Sequence, residues 1–187
     1  MKLKYFFIFL VVISTYFVIN QFNYGREVYD LGFAFENSIP FLNWMVYFYL
    51  AYFFIILIPF FIMDNKKVAF YYSVPVIIAD FFFIFLPTSI YRPLIENNNL
   101  SNYLINLIHS LDLQYNLFPS LHATLLTLSF ILIFQYKKKL AYQLAPLMIF
   151  SLVSTLFIKQ HHLADLIFGV LLALVSIKIS KRFEEVI

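Results

Sequence analysis

Three short polar clusters interrupt a chain that is otherwise strongly apolar: residues 91–93 (Tyr-Arg-Pro), 118–122 (Phe-Pro-Ser-Leu-His) and 159–165 (Lys-Gln-His-His-Leu-Ala-Asp). In the third cluster, His161 and Asp165 are four residues apart. On a helix they share one face, so the carboxylate can orient the imidazole and stabilise its positive charge. Ionisable groups beside an apolar segment are costly unless they are partnered or functional. The third cluster is therefore the strongest candidate for a catalytic centre.

Together the clusters contain the groups that phosphoryl transfer requires. One histidine, held by Asp165, can attack phosphorus while a second protonates the leaving oxygen. Arg92, Lys159 and the amides at the start of a helix can bind the phosphate oxygens. Taken singly, an Arg-Pro pair is also typical of an interfacial anchor, and a Pro-Ser pair of an ordinary helix start. No nucleotide-binding loop occurs, so nothing in the sequence indicates ATP.

A zinc site is the alternative interpretation of the same side chains. His122, His161 and Asp165 have the ligand types that zinc takes, but the sequence has no His-Glu-x-x-His pair and no acidic cluster suited to magnesium. The chain has no cysteine, which excludes disulfides and thiolate metal sites. We therefore expect no metal and no other cofactor, and we expect His162 to lie beside the site.

The composition places these clusters in a membrane protein. Of the 187 residues, 63% are hydrophobic and only 12% are charged, whereas a soluble domain is about a quarter charged. The net charge of +3 does not indicate a nucleic-acid partner, because the basic residues lie in short groups between apolar runs. We expect membrane lipids to be the surroundings of the chain, and its oligomeric state is not encoded in any pattern we recognise.

Six apolar runs are long enough to cross a bilayer as helices, since about 20 residues span its hydrocarbon core. They cover residues 4–20, 41–63, 68–86, 119–136, 140–158 and 162–179. Alternation with a period of two is absent, which favours helices over barrel strands. No cleavage site follows the first run, so we expect it to be retained. The predicted fold is an all-α, six-helix polytopic bundle forming a single domain over residues 1–187.

The distribution of charge predicts the orientation of this bundle. An even number of spans places both termini on one side, together with ten of the 13 basic residues and three acidic ones: Lys2, Lys4, Lys66, Lys67, Lys137, Lys138, Lys139, Lys178, Lys181 and Arg182, with Asp64, Glu184 and Glu185. By the positive-inside rule that side is cytoplasmic. The long loops 21–40 and 87–118 and the three polar clusters then face outward, which predicts a multi-pass protein of the cell membrane with an extracytoplasmic site.

Two further patterns leave alternatives open. Apolar residues at helical spacing over residues 100–111 predict a short amphipathic helix, which lies either on the membrane surface or against the outer end of the bundle. His109 falls on its polar face and is expected to be solvated. Asp80, inside the third span, is either a carboxylic acid hydrogen-bonded within the bundle or a group that supports the site from below.

The motifs resemble those of the type 2 phosphatidic acid phosphatase superfamily, which shares its active-site plan with vanadium haloperoxidases. The family motifs are Lys-x6-Arg-Pro, Pro-Ser-Gly-His and Ser-Arg-x5-His-x3-Asp. This chain has Arg92-Pro93, then Pro-Ser-Leu-His at residues 119–122, then Ser-Thr at residues 154–155 with five residues before His161 and three more before Asp165. The resemblance covers most of the chain.

The resemblance implies a role for each matching residue. His161 is the nucleophile that forms a phosphohistidine, Asp165 orients it, and His122 is the general acid for the leaving group. Arg92 and Ser120 hold the phosphate. These roles agree with the chemistry that the residue types suggest by themselves.

Three positions depart from the family pattern. Phe85 stands where the first motif has lysine, Leu121 where the second has glycine, and Thr155 where the third has arginine. Two phosphate-binding cations are therefore missing. Lys159, two residues before the nucleophile, is the one candidate to replace them.

The resemblance implies an integral membrane, metal-independent lipid phosphatase that acts on a phosphatidate, phosphatidylglycerophosphate or polyprenyl (di)phosphate at the outer face. Residues 118–122 and the His-His-Leu-Ala-Asp-Leu-Ile segment are closer in wording to the branch that includes inositol phosphorylceramide synthases, which transfer a head group to a lipid alcohol. A third possibility, from another class, is a non-enzymatic membrane protein such as a lipid carrier with a degenerate site.

Overall fold

A computed structural model describes residues 3–184 of the chain. Lys2 and Glu185, which contribute to the charge count, lie outside the described residues. Eight α-helices follow one another: α1 (Leu3–Phe22), α2 (Val46–Ile55), α3 (Ile58–Ile62), α4 (Asn65–Phe85), α5 (Leu100–Leu111), α6 (Leu121–Tyr136), α7 (Lys138–Phe157) and α8 (Leu163–Glu184). Two 3₁₀ helices, Ala34–Ser38 and Asn43–Met45, lie between α1 and α2. Within residues 3–184 the regular secondary structure is entirely helical, which confirms the all-α prediction.

In the described part of the chain, five helical segments are long and apolar enough to cross a membrane: Leu3–Phe22, Asn43–Ile62, Asn65–Phe85, Lys138–Phe157 and Leu163–Phe183. The sixth predicted span is α6, which has 16 residues, or about 24 Å of helix, less than the roughly 30 Å of the hydrocarbon core. The count of six spans is therefore not confirmed, and the orientation of the termini stays a prediction. α6 packs against α2, α3, α4, α7 and α8, so this short helix is largely surrounded by protein.

The second span is interrupted where the sequence places a proline. α2 ends at Ile55 and α3 begins at Ile58, with Pro59 in the first turn of α3. Proline has no amide hydrogen, and its ring displaces the carbonyl four residues earlier, here that of Ile55. The predicted continuous helix over residues 41–63 is thus two helices preceded by a 3₁₀ turn.

The amphipathic helix α5 lies against the bundle. Ile105 is fully buried in a cluster with Val46 and Ile158, which favours the packed alternative over a helix resting on the membrane surface. Its polar face is covered as well, because Asn102 donates to the carbonyl of Glu96 at 2.8 Å. The expectation of a solvated His109 is wrong: the ring is partly buried and hydrogen-bonds to the backbone of Ile158.

Asp80 pairs with the neighbouring helix. Thr15 Oγ1 of α1 donates to Asp80 Oδ2 at 2.6 Å. Asp80 does not line the cavity described below, so the structure favours hydrogen bonding within the bundle over a role beneath the site.

α6 and α8 lie in close contact at Gly169. A Cβ atom at this position would lie 2.5 Å from the Ser120 carbonyl oxygen and 2.8 Å from Ala123 Cβ. Thr124 Oγ1 also bridges the two helices, since it donates to the carbonyls of Ser120 at 2.7 Å and Gly169 at 2.9 Å. The absence of a side chain at Gly169 allows the two helices that carry the polar clusters to touch.

We predict that Gly169→Ala lowers the stability of the folded protein by roughly 1 to 3 kcal/mol, the usual cost of forcing atoms into a packed contact. The thermal unfolding midpoint in detergent measures the effect. Val175→Ala, at an exposed position of the same helix, is the control and should leave the midpoint nearly unchanged. An unshifted midpoint in Gly169→Ala would contradict the close contact.

Candidate active site

The loop between α7 and α8 presents His161. The carbonyl of Thr155 accepts the amides of Gln160 at 2.8 Å and His161 at 3.3 Å, and Lys159 adopts a positive φ of 55°, which turns the chain. The fully buried Asp165 accepts the amide of His162 at 2.8 Å, while the same oxygen, Oδ2, lies 3.5 Å from His161 Nδ1. The carboxylate thus both orders the start of α8 and faces the imidazole, as the four-residue spacing predicts.

The second cluster meets the third through the backbone. The amide of Ser120 donates to the Asp165 carbonyl at 3.0 Å. The hydroxyl of Ser120 accepts the amide of Ala123 at 3.2 Å, and the whole residue is buried. Ser120 therefore caps α6 in this structure, and its role as a phosphate ligand stays a prediction.

His122, in the first turn of α6, is held by aromatic stacking. Its ring stacks on Tyr49 and Tyr52, with centroids 4.8 and 3.8 Å away. The ring also hydrogen-bonds to the backbone of Ser151, while Nε2 has no partner within residues 3–184. His122 and His161 line the same cavity.

Arg92 connects the first cluster to the third. Its guanidinium donates to the carbonyl of Asp112 and, at 2.5 Å, to Oε1 of Gln160, the residue before His161. Burial lowers the pKa of Arg92, and the neighbouring Asp112 opposes this shift. The arginine is thus a partly buried cation beside the loop that carries His161.

Lys159 has other partners. Its amine donates to the carbonyls of Ile39 at 2.8 Å and Glu36 at 3.3 Å in the loop between α1 and α2. It does not line the cavity that contains His161. The structure brings the other five predicted residues together and leaves Lys159 holding a loop.

The two positions that lack the family's cations offer no replacement. Phe85 is 68% exposed and packs on Phe81 with ring centroids 4.5 Å apart. Thr155 is fully buried, and its hydroxyl donates to the carbonyl of Leu152 at 2.8 Å. The phosphate-binding charge is therefore lower than the family plan implies.

The sequence did not indicate Asp112 as a site residue. This carboxylate lines the cavity with both histidines, and its Oδ1 accepts the Tyr16 hydroxyl at 2.7 Å and Asn20 Nδ2 at 2.9 Å. Burial raises the pKa of Asp112, while Arg92 and the bond from Tyr16 act in the opposite direction. In the sequence it is an acid directly after a short amphipathic helix, a position typical of a solvated cap.

Also unforeseen is a contact between the loop that joins α1 to α2 and the segment after His161. The ring of His162 lies 3.0 Å from Asp30 Oδ1 and 3.3 Å from Glu36 Oε2. The same Glu36 oxygen accepts the amide of Leu163 at 3.0 Å. A Cβ at Gly32 would lie 2.6 Å from the His162 ring, so only glycine permits this close approach. His162 lies beside the site, as expected from the sequence.

The cavity has a volume of about 580 Å³. At one end are seven residues whose side chains carry a polar group: Tyr16, Tyr49, Tyr52, Asp112, Asn116, His122 and His161. Its other walls are mainly aliphatic and aromatic side chains of α1, α2, α5 and α6. Along α1 it extends from Tyr16 to Phe6, which is about 15 Å of helix, half the roughly 30 Å thickness of a hydrocarbon core. The space suits a lipid tail that occupies one leaflet.

A second cavity of about 570 Å³ opens on the other side of Arg92. Its walls include Glu96, Asn106, His109 and Gln114. Burial lowers the pKa of His109 to about 4, and the nearby Arg92 adds to this shift, so the imidazole is neutral near pH 7. Within residues 3–184, no three His, Asp or Glu side chains are grouped so that they would hold a metal ion.

We predict that Glu36→Gln exposes His161. Glutamine has one side-chain oxygen, so it cannot accept both the Phe33 amide, now bound at Oε1 at 2.9 Å, and the Leu163 amide. Local opening of the 159–163 segment should then become more frequent. The rate at which diethyl pyrocarbonate modifies His161, followed by mass spectrometry, should rise about tenfold for a loss of roughly 1.4 kcal/mol of local stability.

The matched control is Glu27→Gln, an exposed residue of the same loop, which should leave that rate unchanged. Equal modification rates in Glu36→Gln and wild type would mean that the loop between α1 and α2 does not hold the 159–163 segment.

Residues 48–186 match the family model described as PAP2 superfamily. The match begins in α2, covers more than half of the chain and includes all six predicted site residues. No curated protein and no solved structure matches the chain.

Proposed function

Because the chain belongs to the PAP2 superfamily, we propose that it is an integral membrane enzyme that cleaves a lipid phosphoester through a phosphohistidine at His161, with water as the acceptor. The family match supports a phosphatase-type membrane enzyme. The covalent step, the lipid substrate and the outer membrane face are parts of the proposal.

The observation that carries the proposal is the shape of the cavity. Two histidines stand at its polar end, and an apolar space about one leaflet deep continues from them. A substrate whose phosphorus lies beside His161 therefore has room for its tail among the side chains of α1 and α2. A soluble phosphate ester has no apolar tail that would contact those walls.

Each step uses a group already positioned. A nitrogen of His161 attacks phosphorus, and the bond from phosphorus to the lipid oxygen breaks. His122, whose Nε2 has no protein partner within residues 3–184, donates a proton to that oxygen. Water then attacks the phosphohistidine and gives a proton to His122, which restores both histidines. Asp165 stabilises the positive charge that forms on the His161 ring.

Transfer to an alcohol is the second candidate. The observation that favours it is the second cavity, beside Arg92. The amide, carboxylate and imidazole groups in the walls of that cavity are suited to a hydroxylated acceptor. Acceptor alcohol and water would use the same phosphohistidine.

The test follows the release of lipid alcohol and of phosphate from a panel of lipid phosphomonoesters, diphosphates and phosphodiesters, with and without an added lipid alcohol. We expect acceptor-independent release that His161→Ala abolishes and His109→Gln retains. Dependence on the added alcohol would instead assign the transferase. The enzyme proposal fails, leaving the lipid carrier, if no lipid is cleaved or if His161→Ala is as active as wild type.

A further inference from the structure

The charges around the reacting phosphorus differ from those that a doubly charged phosphate needs. Among the described residues that line the cavity with His122 and His161 there is no lysine or arginine, while Asp112 contributes a carboxylate. The nearest guanidinium, that of Arg92, already donates to Gln160 and to the backbone of Asp112. A phosphomonoester dianion at this site would face one cation and an opposing carboxylate, in surroundings where charges are weakly screened.

In the described part of the chain, the carboxylate of Asp112 is held by hydrogen bonds to one of its two oxygens only. Oδ1 accepts from Tyr16 and Asn20, whereas no hydrogen bond from residues 3–184 reaches Oδ2, and the residue lines the cavity with His122 and His161. A carboxylate oxygen in a cavity favours a ligand that donates a hydrogen bond.

We propose that the substrate is a lipid phosphodiester, which carries one negative charge on phosphorus, and that its head group donates a hydrogen bond to Oδ2 of Asp112. Hydroxyl and ammonium head groups share this chemistry. The proposal rests on the function proposed above and adds the class of substrate.

The reaction balances with the groups already named. The His161 nitrogen bonds to phosphorus, the bond from phosphorus to the lipid alcohol oxygen breaks, and that oxygen takes the proton of His122. The head group stays esterified to the phosphorus on His161, within reach of Asp112. Water or an acceptor alcohol then bonds to phosphorus, gives its proton to His122, and releases His161.

The experiment compares kcat/KM for four lipids with identical acyl chains: phosphatidate, phosphatidylglycerol, phosphatidylethanolamine and phosphatidylmethanol. The first is a monoester, the next two have hydroxyl and ammonium donors, and the last is a diester without a donor. We expect kcat/KM for the better of the two donor-bearing diesters to exceed kcat/KM for phosphatidate and for phosphatidylmethanol by about tenfold. With phosphatidate or phosphatidylmethanol bound, the Asp112 carboxylate would receive no hydrogen bond from a head group. The ranking of phosphatidylglycerol against phosphatidylethanolamine identifies the donor.

Asp112→Asn should lower kcat/KM for the preferred diester about tenfold. It should leave kcat/KM for phosphatidylmethanol unchanged and raise kcat/KM for phosphatidate. Asp80→Asn is the matched control, because Asp80 also accepts a hydroxyl of α1, that of Thr15, but lies outside the cavity; the wild-type ranking should persist. Should Asp112→Asn fail to fold, the ranking of the four lipids by the wild-type protein decides alone.

A wild-type preference for phosphatidate that still requires His161 would overturn the diester proposal and leave the phosphohistidine mechanism standing. Inactivity on all four lipids, or activity that survives His161→Ala, would overturn both.

Discussion

The buried carboxyl residue Asp165 joins the segments from which the site is built. Its side chain accepts the amide of His162 and faces His161, and its carbonyl accepts the amide of Ser120. One residue thus fixes the start of α8, the position of His161 and the entry into α6. An unpaired carboxylate at this depth would be strongly destabilising, so the folded arrangement of the loop and the orientation of the imidazole depend on the same contacts.

Because charged residues are few in this chain, the contacts of each one near the site can be followed individually. Only 12% of the chain is charged, and three partly buried charged residues near the site are held by protein groups. Lys159 binds carbonyls of the loop between α1 and α2, Arg92 binds Gln160, and Asp112 accepts from Tyr16 and Asn20. What results is a cavity lined by the carboxyl residue Asp112 and, among the described residues, by no lysine or arginine. This balance of charge is the basis of our proposal that the substrate phosphorus carries one negative charge.

Local patterns in the sequence were enough to predict the all-helical fold and the contact between His161 and Asp165. The spacing of His161 and Asp165 encodes their contact, and the apolar periodicity encodes α5. The break before Pro59 follows from proline chemistry and was readable, although the prediction was one continuous span. The positions of Asp112 and Glu36 could not be predicted from the sequence, because they depend on loops that fold back over the bundle. The direction of the Lys159 side chain likewise follows from tertiary contacts with the outer loop.

The central claim is a covalent bond between His161 and the phosphoryl group, and trapping it is the most direct test. The enzyme would be mixed with a lipid phosphoester labelled at phosphorus, quenched in base within one turnover, digested and mapped by mass spectrometry. The account predicts a base-stable, acid-labile phosphate on the peptide that contains His161. Label on another residue, or steady turnover without any labelled peptide, would contradict it.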